Sequence, residues 1–508
     1  MSDANQKIGQ LIYQIRQEKG LTQAEFAIKL GTSQSAVNRI EKGKQNLSID
    51  MLGRVSDVLN KQIMSLSTGT MNLRVEGGLP LHGTIETKTS KNAAVGLLCA
   101  SLLNNGTTKL KRVPRIEEVY RIIEVLTSIG MQVKWLKNND LEIKHPGYRK
   151  LRLEKMDKNA ARRTRSVVMM IGSLMHSYAD FKLPYAGGCK LGTRSVQPHL
   201  FALENFGVQI KATNGHYHIH INPRQPDRIV LYESGDTVTE NVLMAAAMFP
   251  GTTIVSMASA NYAVQDMCLF LRKLGVKIDG IGTTKLTIRG IKGPIKKNVT
   301  YAPAEDPIES MLFLSIAATT NSQITITRCP IEFLELELLK LEKMGCRYKI
   351  SPRYKAENGY TELVDITTLK HKGLIALEEK IYGRPFPGLN IDNLPFFVPV
   401  AATAKGRTLI HDWAFENRAI YFTEMTKLGA NVELADAHRL YVYGPTKFSP
   451  AEVVCPPALR PAVIILIGML AAPGTSTLRN VYSINRGYED LADRLNTLGA
   501  HITVLHDL

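Results

Sequence analysis

The feature that most constrains this chain is a repeated ending. Six times an apolar, helix-like stretch runs into a glycine and then into a short strand-like segment: Ile129-Gly130-Met131-Gln132-Val133, Phe206-Gly207-Val208-Gln209-Ile210, Gly275-Val276-Lys277-Ile278, Gly345-Cys346, Gly429-Ala430-Asn431-Val432 and Gly499-Ala500-His501-Ile502. The copies lie roughly 70 residues apart, which marks an internal repeat. Glycine after a helix supplies the left-handed cap that other residues adopt at a cost. Most copies also carry a turn and a strand ahead of the helix, as in Gly251-Thr252-Thr253-Ile254-Val255, so each reads as a strand-helix-strand unit. Six such units predict an α/β body. At 508 residues the chain exceeds one ordinary core, so two or three domains are expected.

Composition narrows the class. With 44% hydrophobic and 21% charged residues the chain reads as a soluble globular protein. Its formal net charge of +17 favours anionic partners, whether phosphate compounds or nucleic acid. Cysteines 99, 189, 268, 329, 346 and 455 are scattered without pairs or metal-ligand spacing, which fits a reducing compartment and predicts no metal and no cofactor. Met1 to Gln6 holds no apolar run of a secretory leader. The most apolar segment, Ala462 to Ala472, is too short to span a bilayer and reads as a buried helix. A cytoplasmic protein without a membrane segment is expected.

The first sixty residues follow a different pattern. Ile8, Leu11, Ile12 and Ile15 recur at helical spacing. Gly20 is a stop, and Thr22 with Glu25 three residues later reads as a capping box for a second short helix. Gly31-Thr32-Ser33 is a tight turn, followed by a third helix from Ser35 to Lys42 and a fourth from Ser48 to Leu59. Short helices broken by a glycine turn are the signature of a helix-turn-helix. The run Leu21-Thr22-Gln23-Ala24-Glu25-Phe26-Ala27, with Gly31 and Ser33-Gln34-Ser35-Ala36-Val37-Asn38-Arg39-Ile40-Glu41-Lys42-Gly43, resembles the Cro/C1-type phage-repressor DNA-binding domain. That resemblance implies base reading by Gln34, Ser35 and Asn38, and phosphate contacts by Gln23, Arg39, Lys42 and Lys44. Charge alone argues less: residues 1–70 hold nine Lys or Arg against six Asp or Glu. A protein-docking module with a solvated polar face is the plainer alternative.

One further stretch carries chemistry. In Gly187-Gly188-Cys189-Lys190-Leu191-Gly192-Thr193-Arg194 a cysteine sits among glycines that let the backbone approach a ligand. Lys190 and Arg194 favour a thiolate and an anion. Taken alone it is as readily a surface turn with an inert thiol. Together with Ser90-Lys91-Asn92-Ala93-Ala94, Thr164-Arg165-Ser166, Asp392, Phe415-Glu416-Asn417-Arg418, Arg460 and Asn485-Arg486-Gly487-Tyr488-Glu489, in that order, it resembles the UDP-N-acetylglucosamine enolpyruvyl transferase family of peptidoglycan synthesis. The similarity runs from about Met71 to the C-terminus.

The resemblance implies a two-lobed, inside-out α/β barrel of six repeated units, three per lobe, with helices pointing into a cleft. On that template residues 1–66 form the helix-turn-helix domain, 67–70 a linker, 71–90 plus 303–508 one lobe, and 91–302 the lobe with the cysteine loop. The implied reaction moves the enolpyruvyl group of phosphoenolpyruvate onto the 3-hydroxyl of UDP-N-acetylglucosamine and releases phosphate, the first committed step of peptidoglycan synthesis. Cys189 is the expected acid, which fosfomycin alkylates in that family, and Asp392 the expected base. Lys91, Arg194 and Arg460 are the expected anion clamp; Asn92, Arg165, Phe415 and Arg418, with Asp306 and Glu309, line the cleft on the sugar-nucleotide side or support it. Asp392 also reads as a helix N-cap, because a helix follows.

Two places depart from the family. Ser195 and Gln197 stand where its loop has Pro and Asp facing uracil. Its Lys-x-Ser-Val-Gly segment, beside the uridine and its phosphates, falls on Glu233-Ser234-Gly235-Asp236-Thr237, where acids would repel a diphosphate. The kept catalytic residues favour an enzyme. The altered side keeps open a different acceptor, or a transcriptional regulator that senses a sugar nucleotide without turnover. The shikimate 3-phosphate relative lacks this cysteine loop. Expected partners are thus phosphoenolpyruvate, UDP-N-acetylglucosamine, double-stranded DNA and a second copy of the chain in a homodimer.

Overall fold

The computed structural model describes residues 3–44, 49–59, 71–185, 196–213 and 215–506. The expected linker, Cys189 and Arg194 lie outside the described residues.

The N-terminal unit consists of α1 (Asp3–Glu18), α2 (Gln23–Leu30), α3 (Gln34–Glu41) and α4 (Ile49–Leu59). The capping box at α2 is present in full, with Thr22 accepting from Glu25 N and the Glu25 carboxylate accepting from Thr22 N. Gly31 closes α2 at φ 65°, a left-handed value. Ile12, Ile15, Phe26, Leu30, Val37, Ile40, Val55 and Leu59 form the core. Beside it Arg16 and Glu41 make a buried ion pair at 2.5 Å that ties α1 to α3.

Beyond it the body is built from six small sheets. Each repeat glycine takes a positive φ: Gly130 106°, Gly207 83°, Gly275 107°, Gly345 97°, Gly429 86° and Gly499 87°. The strands that follow them are Gln132–Trp135, Val208–Thr213, Lys277–Asp279, Arg347–Ile350, Asn431–Leu434 and His501–His506. Five sheets combine such an antiparallel hairpin with a parallel neighbour; the one holding Asp180–Pro184, Val208–Thr213 and His216–Ile221 is wholly antiparallel.

Two cores result. One gathers residues between Ala94 and Tyr301, the other Leu73 to Ile85 together with Ile308 to Ile502. The second is discontinuous because Met71–Gly77 pairs antiparallel with Gly474–Arg479 and His501–His506, while His82–Glu86 runs parallel to Gln323–Pro330. The chain passes between the cores twice, side by side: Ser90 N donates to Ala304 O at 2.7 Å, and Asp306 N to Lys88 O at 2.8 Å. The helix Leu459–Ala471 is almost wholly buried, and no helix among the described residues is long and apolar enough to cross a membrane.

Candidate functional site: a cleft between two lobes

The double crossing sets several helix N-termini against one another. In the lobe of residues 91–302, Ser90 caps α5 (Lys91–Ala100) by accepting from Ala93 N, and Asn261 caps the helix Tyr262–Leu274. The helix Asp236–Ala246 opens with its aspartate. From the other lobe Asp306 caps Pro307–Thr319 by accepting from Ile308 N, and Arg460 is the second residue of Leu459–Ala471. Helix N-termini carry positive potential, so their meeting point favours anions.

The side chains at these ends interlock. Lys91 Nζ lies 2.6 Å from Glu118 Oε2. Burial raises the Glu118 carboxyl, but Lys91, Arg486 and Ser166 outweigh it and hold it below the usual carboxylate range. Asn92 Nδ2 donates to the Tyr262 hydroxyl at 3.2 Å. Tyr262 is buried among Asp306, Asp236 and Asp392, and burial with those charges pushes its hydroxyl well above normal. Asp306 is pushed up to about 6, by burial against the opposing pull of Arg460.

Asp392 sits on the facing lobe, with Arg418 Nη1 at 3.4 Å and Arg460 Nη2 at 3.8 Å. Arg418 is held bidentately by Asp412 at 2.5 and 3.0 Å, donates to Ile391 O at 2.8 Å and stacks 3.9 Å above Phe415. It therefore braces the Asp392 turn from behind. Arg460 donates to the Tyr488 hydroxyl at 2.5 Å. Burial opposes the Arg460 charge, yet Tyr488, Asp392 and Asp306 hold the guanidinium firmly protonated.

The structure thus brings Lys91, Asn92, Asp306, Asp392 and Arg460 together, with Phe415 and Arg418 behind Asp392. Arg165 begins a 3-10 turn, and its charge together with burial pushes His199 down to about 3. Glu309 has a structural job instead: it accepts from Lys88 N and holds Arg494 at 2.5 and 3.1 Å. The expectation that Asp392 N-caps the next helix is not met. Asn393 occupies the cap of Leu394–Phe396, in helical conformation and without a side-chain cap, and Asn390 Oδ1 accepts from Asp392 N. Tyr262, Asn261 and Glu118 were not singled out from sequence; no spacing signals them, because their partners lie on other elements. Among the described residues no group of His, Cys, Asp or Glu is arranged to hold a metal ion.

In the N-terminal unit Gln34, Ser35, Arg39, Lys42 and Lys44 are exposed and Asn38 is half-buried. Gln23 differs: its amide already donates to Glu41 Oε2 at 2.7 Å, so it is tied to the buried ion pair.

Known proteins share this arrangement. The family model of EPSP synthase (3-phosphoshikimate 1-carboxyvinyltransferase) matches residues 75–495, and a helix-turn-helix model matches 12–65. The chain is 31% identical to a UDP-N-acetylglucosamine 1-carboxyvinyltransferase of Treponema denticola, over 84% of this chain and 98% of that one. It is 30% identical to the enzyme of that name from Helicobacter pylori, over 86% and 99%. Among solved structures it resembles the enolpyruvyl transferase NikO from Streptomyces tendae, with a TM-score of 0.75 at 22% identity over 87% of this chain and 100% of that one. EPSP synthase from Acinetobacter baumannii follows with a TM-score of 0.67 at 18% identity, over 86% and 100%. The expected inside-out α/β fold is therefore the fold of its structural neighbours.

Proposed function

We propose, from the premise that the chain belongs to the enolpyruvyl transferase family and carries an N-terminal helix-turn-helix domain, that it transfers the enolpyruvyl group of phosphoenolpyruvate to the 3-hydroxyl of UDP-N-acetylglucosamine. The observation that carries this reading is the convergence of Lys91, Asn92 and Tyr262 from one lobe with Asp306, Asp392 and Arg460 from the other. Lys91 and Arg460 take the phosphate and carboxylate of phosphoenolpyruvate, aided by Arg194 and by the helix N-termini.

The steps balance as addition and elimination. Asp392 accepts the acceptor hydroxyl proton while that oxygen bonds to C2 of the enolpyruvyl group, and C3 gains a proton from Cys189. The tetrahedral adduct then returns a C3 proton, restores the C2–C3 double bond and expels phosphate. Arginines suit this because their charge stays fixed while negative charge moves from carboxylate to leaving phosphate. The N-terminal domain binds double-stranded DNA through the exposed N-terminal residues of α3, Gln34, Ser35 and Asn38.

A different acceptor is the second reading, favoured by the acidic Glu233 and Asp236 at the turn before the helix Asp236–Ala246. The test is phosphate release from phosphoenolpyruvate with and without UDP-N-acetylglucosamine, wild type beside Cys189→Ala. Release that needs both substrates and Cys189 supports the transferase. Saturable sugar-nucleotide binding with no release makes the body a sensor for the DNA-binding domain.

A further inference from the structure

Asp236 is the residue of the cleft that the proposed reaction leaves unused. Its carboxylate is fixed by two donors from the neighbouring loop: Ser259 Oγ lies 2.5 Å from Oδ1 and Asn261 Nδ2 lies 2.8 Å from Oδ2. Ser259 is itself buried, so the carboxylate is held by a rigid wall. A carboxylate oxygen can accept two hydrogen bonds, so each oxygen retains capacity for a ligand. The side chain is only half-buried, and no cation forms an ion pair with it among the described residues.

Its place relative to the reacting groups is fixed by its neighbours. Asn261, which holds Oδ2, directly precedes Tyr262, and the Tyr262 hydroxyl accepts from Asn92 beside Lys91. From the opposite lobe Asp392 lies close enough for its charge to act on Asp236, and both act on Tyr262. A hydroxyl poised over Asp392 therefore has a second fixed acceptor within reach of the same ring. A phosphate at that point meets like charge from Asp236 and from the exposed Glu233 three residues earlier. Sugar hydroxyls match both carboxylates as donors.

We propose that Asp236 anchors the acceptor through a hydroxyl neighbouring the one that reacts, so that Asp392 and Asp236 together grip two hydroxyls of one sugar ring. The proposal rests on the transferase reading and adds a specificity-determining residue to it: the acceptor side of the cleft selects a polyhydroxylated ring at the Asp236 turn and turns phosphates away from it.

The experiment crosses residue against hydroxyl. Wild type, Asp236→Asn and Asp236→Ala are assayed by phosphate release at saturating phosphoenolpyruvate, with UDP-N-acetylglucosamine and with its 4-deoxy and 6-deoxy analogues. Losing a hydrogen bond to a charged group lowers kcat/KM for the full acceptor by about ten- to a hundredfold in the variants, through the acceptor KM, with the phosphoenolpyruvate KM unchanged. One deoxy analogue suffers the same loss in wild type and no further loss in the variants. Penalties that simply multiply for both analogues, or a phosphoenolpyruvate KM that rises in step, overturn the proposal. If wild type turns over none of the three, the transferase reading fails. The same cross is then read as binding by calorimetry, where the same non-additive pattern still supports the role of Asp236. No binding of any of the three while phosphoenolpyruvate still binds overturns both.

Discussion

Asp412→Asn should cost the second lobe stability and the cleft its base at the same time. Arg418 and Asp412 are each 1% exposed, so a full positive charge is carried inside that lobe and answered at one place. The carboxylate takes Nε at 2.5 Å and Nη2 at 3.0 Å; asparagine keeps the shape but leaves a neutral oxygen and turns an amide toward the guanidinium. Breaking a buried pair from one side costs about 3–5 kcal/mol, since the remaining charge stays desolvated. Asp392 at 3.4 Å and Ile391 O at 2.8 Å remain as partial company for Arg418, which points to the lower end, about 3 kcal/mol. Because the same guanidinium tethers Ile391 O, its displacement moves the Asp392 turn, and an ångström of misplacement costs about a hundredfold in rate. Urea unfolding and phosphate release read the two effects separately. Adding Arg418→Met to Asp412→Asn removes the orphaned charge and should recover much of the stability while leaving activity low. A single variant within about 1 kcal/mol of wild type, as for a surface ion pair, with unchanged kcat, would refute the reasoning.

Three more expectations follow from individual residues. Asp266 is buried with its carboxyl pushed up to about 7 by burial, against donors from Tyr301, Ala304 N and Asn358. The native state therefore keeps a proton that the unfolded chain has lost above about pH 4, and this contribution to stability falls as pH rises toward 7, by up to about 1.4 kcal/mol per pH unit. Asp266→Asn should flatten urea midpoints over that window, and parallel profiles would contradict it. Gly172→Ala places a methyl 2.3 Å from Asn241 O in the first lobe, a clash with fixed backbone; a loss of about 1–3 kcal/mol in that lobe's unfolding is expected, and an unchanged midpoint argues otherwise. Asn38→Ala should weaken binding to a selected operator by about 1–3 kcal/mol without changing enolpyruvyl transfer, read by fluorescence anisotropy; equal affinity for operator and random duplex in both proteins removes Asn38 as a base reader.

Much of the fold was legible because local backbone chemistry repeats. Glycine at the end of six helices had to take positive φ, and all six do; Thr22 and Glu25 had to close a capping box, and they do. The cleft was legible only in part. Lys91, Asn92, Asp392 and Arg460 stood out through resemblance to a family, and they meet. Tyr262 and Glu118 did not, because what places them is contact with Asn92 and Lys91, 170 and 27 residues away in sequence, which no local pattern encodes. Asp392 misled as an N-cap: the tight Asn390–Asn393 turn supplies its own amide acceptor and hands the cap position to Asn393. Asp236 read from sequence only as a charge in the wrong place. Its meaning depends on Ser259 and Asn261, which turn an isolated acid into a fixed acceptor.

The measurement that tests the central claim most directly is the mass of the acceptor after incubation with phosphoenolpyruvate, wild type beside Asp392→Asn. The account predicts that UDP-N-acetylglucosamine gains one enolpyruvyl group with wild type and stays unmodified with the variant. An unmodified acceptor with wild type, or a product formed equally by both proteins, would contradict it.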